Sequence, residues 1–300
     1  MINSVHTLPG GYWDEHGQLH REVVIIPLSG HEEELLAQPS PLAMAAVITT
    51  VLTRCVLQIG TLAMTTEIAR QLLIGDRQYL LLLLRALTFG DQVQANRRCP
   101  WPDCGQTLDI DFKLSNFPVQ TIATANQPYT VILSPAAVEN QAWAKRQPQI
   151  QFRLPNGEDQ EIVAPLLEQN EAQALTQLLC RCIYSLGEID KPSPELISEL
   201  SPLARQEIEV QMEALMPGVD LTLTANCPHC EREFTVPFEL ADFFFGELAT
   251  GEDLLRREVH YLAYHYHWNE SEILALPRYK RRAYIEILAS EIERLNDAFN

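Results

Sequence analysis

The chain has 300 residues, 46% hydrophobic and 21% charged, a composition that excludes wholesale disorder. Asp and Glu outnumber Lys and Arg by 40 to 22, and the resulting charge of −18 is spread along the chain. Such a surface is repelled by phosphate backbones and argues against general nucleic-acid binding. The length suits two domains, or one domain carrying an insertion. Residues 1–11 hold no basic patch followed by an apolar run, so no secretory leader is read there. The most apolar stretches, 42–60 and 80–84, are interrupted by Arg54 and ended by Arg85. Both fall short of the roughly 20 clean apolar residues of a membrane span. The expectation is a cytoplasmic protein without membrane insertion.

Residues 8–28 predict a β-hairpin, turned at Asp14-Glu15-His16-Gly17 and returning through Val23-Val24-Ile25-Ile26. Ser29 then reads as the cap of a short helix, with Glu32, Glu33 and Glu34 compensating its dipole. Residues 41–58 begin as helix. Two more helices are expected at Met64–Leu73 and Asp76–Leu87, the second opened by Asp76 and buried around its leucine run. Alternation then signals strands on either side of Cys99-Pro100-Trp101-Pro102-Asp103-Cys104-Gly105, with Leu108, Ile110 and Phe112 on the far side. The same strand, knuckle and strand return at 221–238 around Cys227-Pro228-His229-Cys230. The sequel repeats as well: Phe112-Lys113-Leu114-Ser115-Asn116-Phe117 matches Phe238-Glu239-Leu240-Ala241-Asp242-Phe243.

Between the two units lies an acidic stretch with β-type material at Tyr129–Leu133. A hairpin of 149–154 and 160–164 is expected there, turned by Pro155-Asn156-Gly157. Helices follow at Leu166–Ile183 and from Ser201-Pro202 to Leu215. The C-terminal part reads as helix: Glu252–His267, a short helix capped at Asn269, and a last helix to Ala298. The fold class is thus α+β, with helical halves flanking a split, zinc-ribbon-like pair of β-hairpins and an inserted α+β subdomain. The boundaries are 1–120, 121–218 and 219–300.

Seven cysteines, an odd number without a leader, do not suggest a disulfide framework. Cys99-x4-Cys104 and Cys227-x2-Cys230 instead place two pairs of thiols on tight turns. Four soft, anionic ligands form the closed tetrahedral set of structural zinc, which leaves no position for a catalytic water. A thioredoxin-type reading of Cys227 and Cys230 fits poorly, because strands flank the motif where that chemistry needs a helix N-terminus. His260, His265 and His267 lie among tyrosines and a tryptophan, which favours a contact surface over a second metal site. Arg278, Lys280, Arg281 and Arg282 read as a solvated helix face. No phosphate loop, nucleophile elbow or persuasive carboxylate pair is present, so no enzyme activity is expected.

Three segments together carry a resemblance. They are Leu8-Pro9-Gly10-Gly11 through His31-Glu32-Glu33-Glu34-Leu35-Leu36, Gly75-Asp76-Arg77-Gln78-Tyr79 through Phe89-Gly90-Asp91 into Cys99 and Cys104, and Trp268-Asn269-Glu270-Ser271-Glu272-Ile273-Leu274 with Arg281-Arg282 and Tyr284. In this order they resemble the baseplate hub assembly chaperone family of T-even-type contractile-tailed phages, which has relatives in phage-like contractile injection systems. The resemblance covers both ends of the chain and leaves much of 121–218 unmatched. It implies a non-enzymatic assembly or structural protein whose partners are baseplate, hub or spike proteins. The competing readings from the residues alone are a zinc-ribbon nucleic-acid-binding or regulatory protein, and a metalloenzyme using the histidines.

Overall fold

The computed structural model describes residues 4–37, 44–121, 128–139, 141–145, 148–167, 169–238 and 240–299. The chain starts with strands β1 (Ser4–Trp13) and β2 (Leu19–Ile25), which form the expected antiparallel hairpin. Helices α1 (Gly30–Ala37) and α2 (Met44–Cys55) follow, then β3 (Val56–Ile59) and β4 (Leu62–Ala63) complete a four-stranded antiparallel sheet. Residues 41–43 of the expected helix lie outside the described residues. Helices α3 (Thr66–Gln71) and α4 (Ile74–Phe89) close the first layer. Leu8, Val23 and Ile25 of the sheet pack with Val51 and Leu52 of α2 and Leu80 and Leu84 of α4 in one core.

α4 starts earlier than expected, with no side-chain cap of its own. Asp76 has a different task. Its buried carboxylate accepts the backbone N–H groups of Gly10 and Gly11, both at 2.8 Å, where the β1–β2 register slips. Burial pushes its pKa up to about 6, against the lowering effect of those two N–H groups and Arg21.

The hairpin β5 (Gln92–Arg98) and β6 (Thr107–Lys113) comes next, then β7 (Val119–Gln120). Strands β8 (Tyr129–Ile132) and β9 (Gln149–Phe152), helices α5 (Gly157–Leu167) and α6 (Glu171–Cys182), strands β10 (Ile183–Leu186) and β11 (Ile189–Asp190), and helices α7 (Pro194–Ser198) and α8 (Pro202–Leu215) follow. They enclose a second apolar cluster around Ile150, Phe152, Leu179, Cys182 and Ile208. Strand β12 (Gly218–Val219) then returns to pair antiparallel with β7, Val119 opposite Val219 and Gln120 opposite Gly218.

Two expectations fail here. Residues 160–164 are helix, and β9 pairs with β8 and β10 instead. Asn156-Gly157 is a helix start: the Asn156 side chain accepts from Asp159 N–H at 3.1 Å, and Asp159 accepts from Asn156 N–H at 3.0 Å. That reciprocal cap outcompetes a hairpin turn. The single helix expected at Leu166–Ile183 is two helices, because the Asn170 side chain caps α6 by accepting from Gln173 N–H.

The second hairpin, β13 (Thr222–Asn226) and β14 (Glu233–Pro237), precedes a helix longer than expected, α9 (Leu240–Tyr266). The short α10 (Glu270–Leu274) carries the capping box of Asn269 and Glu272, and α11 (Arg278–Phe299) ends the chain. The basic cluster is a solvated face only in part: Arg282 is exposed, but Arg278 and Arg281 turn inward. Arg281 is fully buried: its guanidinium donates to Glu258 at 2.9 Å, Glu33 at 2.8 Å and the Leu276 carbonyl at 2.7 Å. Glu33, read as dipole compensation, is the buried partner, and Arg278 lies 3.6 Å from its other oxygen. Glu32 does the capping, accepting from the Ser29 N–H and hydroxyl. No helix of the described residues is long and apolar enough to cross a membrane.

Candidate metal centre

The two hairpins meet at their turns. Each turn is closed by the same backbone bond, from the first cysteine's N–H to a carbonyl beyond the second: Cys99 to Gln106 at 2.8 Å, and Cys227 to Arg232 at 3.0 Å. The residue after each second cysteine has a left-handed backbone, Gly105 at φ +56° and Glu231 at φ 59°. The first cysteine of each pair is buried and the second half-buried. The repeat read from the sequence is therefore a repeat of conformation as well as of residue type.

The four sulfurs converge. Cys99 Sγ lies 3.8 Å from Cys230 Sγ, and Cys104 Sγ lies 3.7 Å from Cys227 Sγ. All four are within 4.8 Å of one another. A regular tetrahedron with metal–sulfur bonds of about 2.3 Å has edges of about 3.8 Å, so the residues present fit a tetrahedral metal ion. Burial raises the Cys227 thiol. The N–H groups of Cys230 and His229 and the neighbouring thiols of Cys230 and Cys99 outweigh it, bringing the pKa down to about 6. Burial pushes the Cys99 thiol up to about 12.

Beneath the sulfurs, Leu108 and its counterpart Phe234 are buried together. Deeper still, Phe112 and its counterpart Phe238 meet edge-on at 5.1 Å between ring centroids, with Phe117 and Phe243 alongside. The aromatic layer joins the main core, so the cysteine end and the apolar end of the paired hairpins are packed in one unit.

Residues that the sequence did not flag brace the site. Arg232 of the second knuckle pairs with Asp103 of the first and lies 4.7 Å over the Trp101 ring. At the hairpins' base, buried Arg85 holds both oxygens of Glu247 at 2.7 and 3.0 Å and donates to the carbonyls of Gly90 and Gln92. The basic residues nearest the knuckles thus serve the fold: Arg98 donates to the Gly105 carbonyl and Arg97 to that of Asn96.

The remaining cysteines lie apart from the cluster. Cys55 is in the first core, Cys182 in the second, and Cys180 packs at the edge of the second. His267 is beyond the end of α9 with φ 58°, so it does not share a helical face with His260. His260 and His265 contact the rings of Tyr264 and Tyr261. Among the described residues, the four cysteines are the group of three or more His, Cys, Asp or Glu whose ligand atoms gather around one point.

No curated protein and no solved structure matches the chain. A family model described as a family of unknown function (DUF6760) matches residues 247–300. A second, described as T4 bacteriophage base plate protein, matches residues 12–245, well over half of the chain and inclusive of all four cysteines. The two matches meet inside α9, which runs through the junction as one helix. By this match the chain belongs to the T4-type phage base plate protein family.

Proposed function

We propose that this chain is a non-enzymatic structural or assembly subunit of a contractile-tail baseplate, in a phage or a phage-like injection system. The observation that carries the reading is the base plate family match, which spans both hairpins and their cysteines. The resemblance to hub assembly chaperones refines it: the partners are hub, spike or baseplate proteins met in the host cytoplasm. A zinc ion on Cys99, Cys104, Cys227 and Cys230 fastens the two hairpins. Four thiolates fill its coordination sphere, so its role is structural. The β7–β12 ladder supports the assignment of 121–218 as an insertion, because it holds the two ends of that segment side by side. Residues 1–120 and 219–300 are then the two halves of the parent fold.

The test of function is a pull-down of the tagged chain from its own host, read by mass spectrometry. Hub, spike or baseplate proteins are the expected catch; nucleic acid or polymerase subunits would overturn the reading. The metal site has its own test. Purified chain should carry one zinc by elemental analysis. Cys99→Ser and Cys227→Ser should each lose it and lower Tm by on the order of 5–10 °C. Full zinc content in both variants would rule out these ligands.

A further inference from the structure

Strand β8 is the outer strand of a four-stranded sheet ordered β11, β10, β9, β8. The register settles which way its backbone faces. Leu133 N–H donates to the Pro148 carbonyl at 2.8 Å, so Tyr129, Val131 and Leu133 are the residues bonded to β9. β9 agrees from its other side. The Gln149 carbonyl accepts from Gly187 N–H at 2.8 Å, and Arg153 N–H donates to the Cys182 carbonyl at 2.9 Å, so its odd-numbered residues bond away from β8. The N–H and C=O groups of Thr130, Ile132 and Ser134 therefore point out of the sheet.

The last of these three residues is already engaged. Ser134 N–H donates to one carboxylate oxygen of Glu207 on α8 at 2.8 Å, and its hydroxyl donates to the other. That bond ties the end of β8 to α8 and shows where the edge faces. Among the described residues, no backbone or side-chain group of the chain takes up the N–H and C=O of Thr130 and Ile132. An open edge is normally blunted by a charge, a proline or a bulge. Tyr129-Thr130-Val131-Ile132 has none of these, and its ladder to β9 runs without a shift.

Ile132 instead stands 73% exposed. Beside it a groove of about 420 Å³ runs between β8 and α8. α8 turns Ala204, Ile208 and Met212 into the second core and leaves Leu203 and Val210, seven residues apart, along the groove. One wall thus offers backbone donors and acceptors, and the other an apolar stripe. An extended chain meets both at once, with its own backbone and with alternate side chains. A helix has no free backbone groups along its length to give the first. Charge narrows the choice further. No Lys or Arg lines the groove. α8 carries Glu207, Glu209 and Glu213, while its Arg205 is engaged on Thr176 and the carbonyls of Ile197 and Ser198. A second copy would set this acidic helix against its like, whereas a basic segment complements it.

We propose that β8 and α8 seat an extended, basic segment of another protein, which joins the sheet as a further strand beside Thr130 and Ile132. An aliphatic side chain of that segment lies between Ile132 and the Leu203–Val210 stripe. This seat needs only β8 and α8, and stands independently of the baseplate reading.

The probes are nine-residue peptides with Lys-Lys at each end and every combination of Val, Ile, Leu and Thr at the five central positions. By fluorescence anisotropy with the full chain, the best should bind with a dissociation constant below about 100 μM, and at least about tenfold more weakly when Glu replaces each Lys. Methylating its backbone nitrogens one at a time should abolish binding at alternate positions only. Ile132→Asn with Val210→Asn should weaken binding at least about tenfold with Tm unchanged, while Val5→Asn, on the outer strand β1 of the first sheet, should leave it unchanged. At saturating peptide the amides of Thr130 and Ile132 should exchange at least about tenfold more slowly. No binding by any peptide of the set at about 1 mM overturns the proposal. So does a peptide that binds without protecting those two amides. A chain that dimerises through β8, and loses the dimer with Ile132→Asn, also overturns it and gives the edge to a second copy.

Discussion

The residue after the second cysteine of each knuckle occupies the left-handed region, and the two knuckles fill it differently. Gly105 adopts φ +56° without a side chain to clash, whereas Glu231 adopts φ 59° as an L-residue, a conformation that costs about 1–2 kcal/mol. Glu231→Gly is therefore expected to stabilise the protein by up to about 1 kcal/mol, and Gly105→Glu to destabilise it similarly, in urea unfolding. Equal midpoints would show that the turn strain is absorbed elsewhere. Asp76 carries a different signature. Its folded pKa of about 6 lies above the unfolded value near 3.9, so the folded chain takes up the proton first. The stability it contributes is present at low pH and is lost as pH rises through about 6. Relative to Asp76→Asn, wild type should gain ground between about pH 7.5 and about pH 5; a difference flat in pH would remove that assignment. The cysteines were legible because each pair is a local turn motif that occurs twice. Asp76 was not, because the N–H groups it receives are 65 and 66 residues away.

Elements were legible where their ends were marked locally. Ser201-Pro202 and the Asn269–Glu272 box start helices as read, and the β1–β2, β5–β6 and β13–β14 hairpins announce themselves by alternation. α5 was missed because Asn-Gly serves both a hairpin turn and a helix start, and the deciding residue is Asp159 three positions on. Asp159 is fully buried, yet its carboxyl stays below the usual range: burial raises it, but Arg153 at 2.6 Å, the Asn156 N–H and Arg181 outweigh that. The docking of α11 was missed for a simpler reason, since Glu33 and Arg281 are 248 residues apart. Breaking a buried ion pair on one side costs about 3–5 kcal/mol, because the partner charge stays behind without its counter-ion. Arg281→Met should therefore expose residues 278–299 to limited proteolysis and destabilise the protein by that order. Replacing Glu33 and Glu258 by Gln in the same chain should recover part of the loss. An Arg281→Met chain as protease-resistant as wild type would show that Leu274, packed against Gly30, holds the helix by itself.

The described residues form two large apolar cores, one around the first sheet and α4 and one between β7 and β12 in sequence, besides the small cluster at the cysteines. A buried polar network crosses between them: Arg77 is buried, with its guanidinium on Thr49, Gln160 and the carbonyls of Ala45 and Ala69, while Glu161 holds Arg70 and Thr49. Metal removal should therefore act on one core. Chelation is expected to speed hydrogen exchange in β5, β6, β13 and β14, and to leave the amides of β9 and α6 protected. Uniform loss of protection would show a single cooperative unit. The repeated hairpins were legible in the sequence; the Arg77 and Glu161 contacts were not, because their partners lie up to 112 residues away. Chain order also sets events in time. Cys104 leaves the ribosome 123 residues ahead of Cys227, and Cys99 earlier still, a wait on the order of 10 s at ordinary synthesis rates. During it the second core has all its strands and helices at hand and can fold, while the first hairpin offers only half a site. The meeting of the two hairpins thus waits for the second one to be made, long after the first is complete. If the proposed metal is scarce, chains with a folded 121–218 segment and unjoined hairpins are the form expected to accumulate.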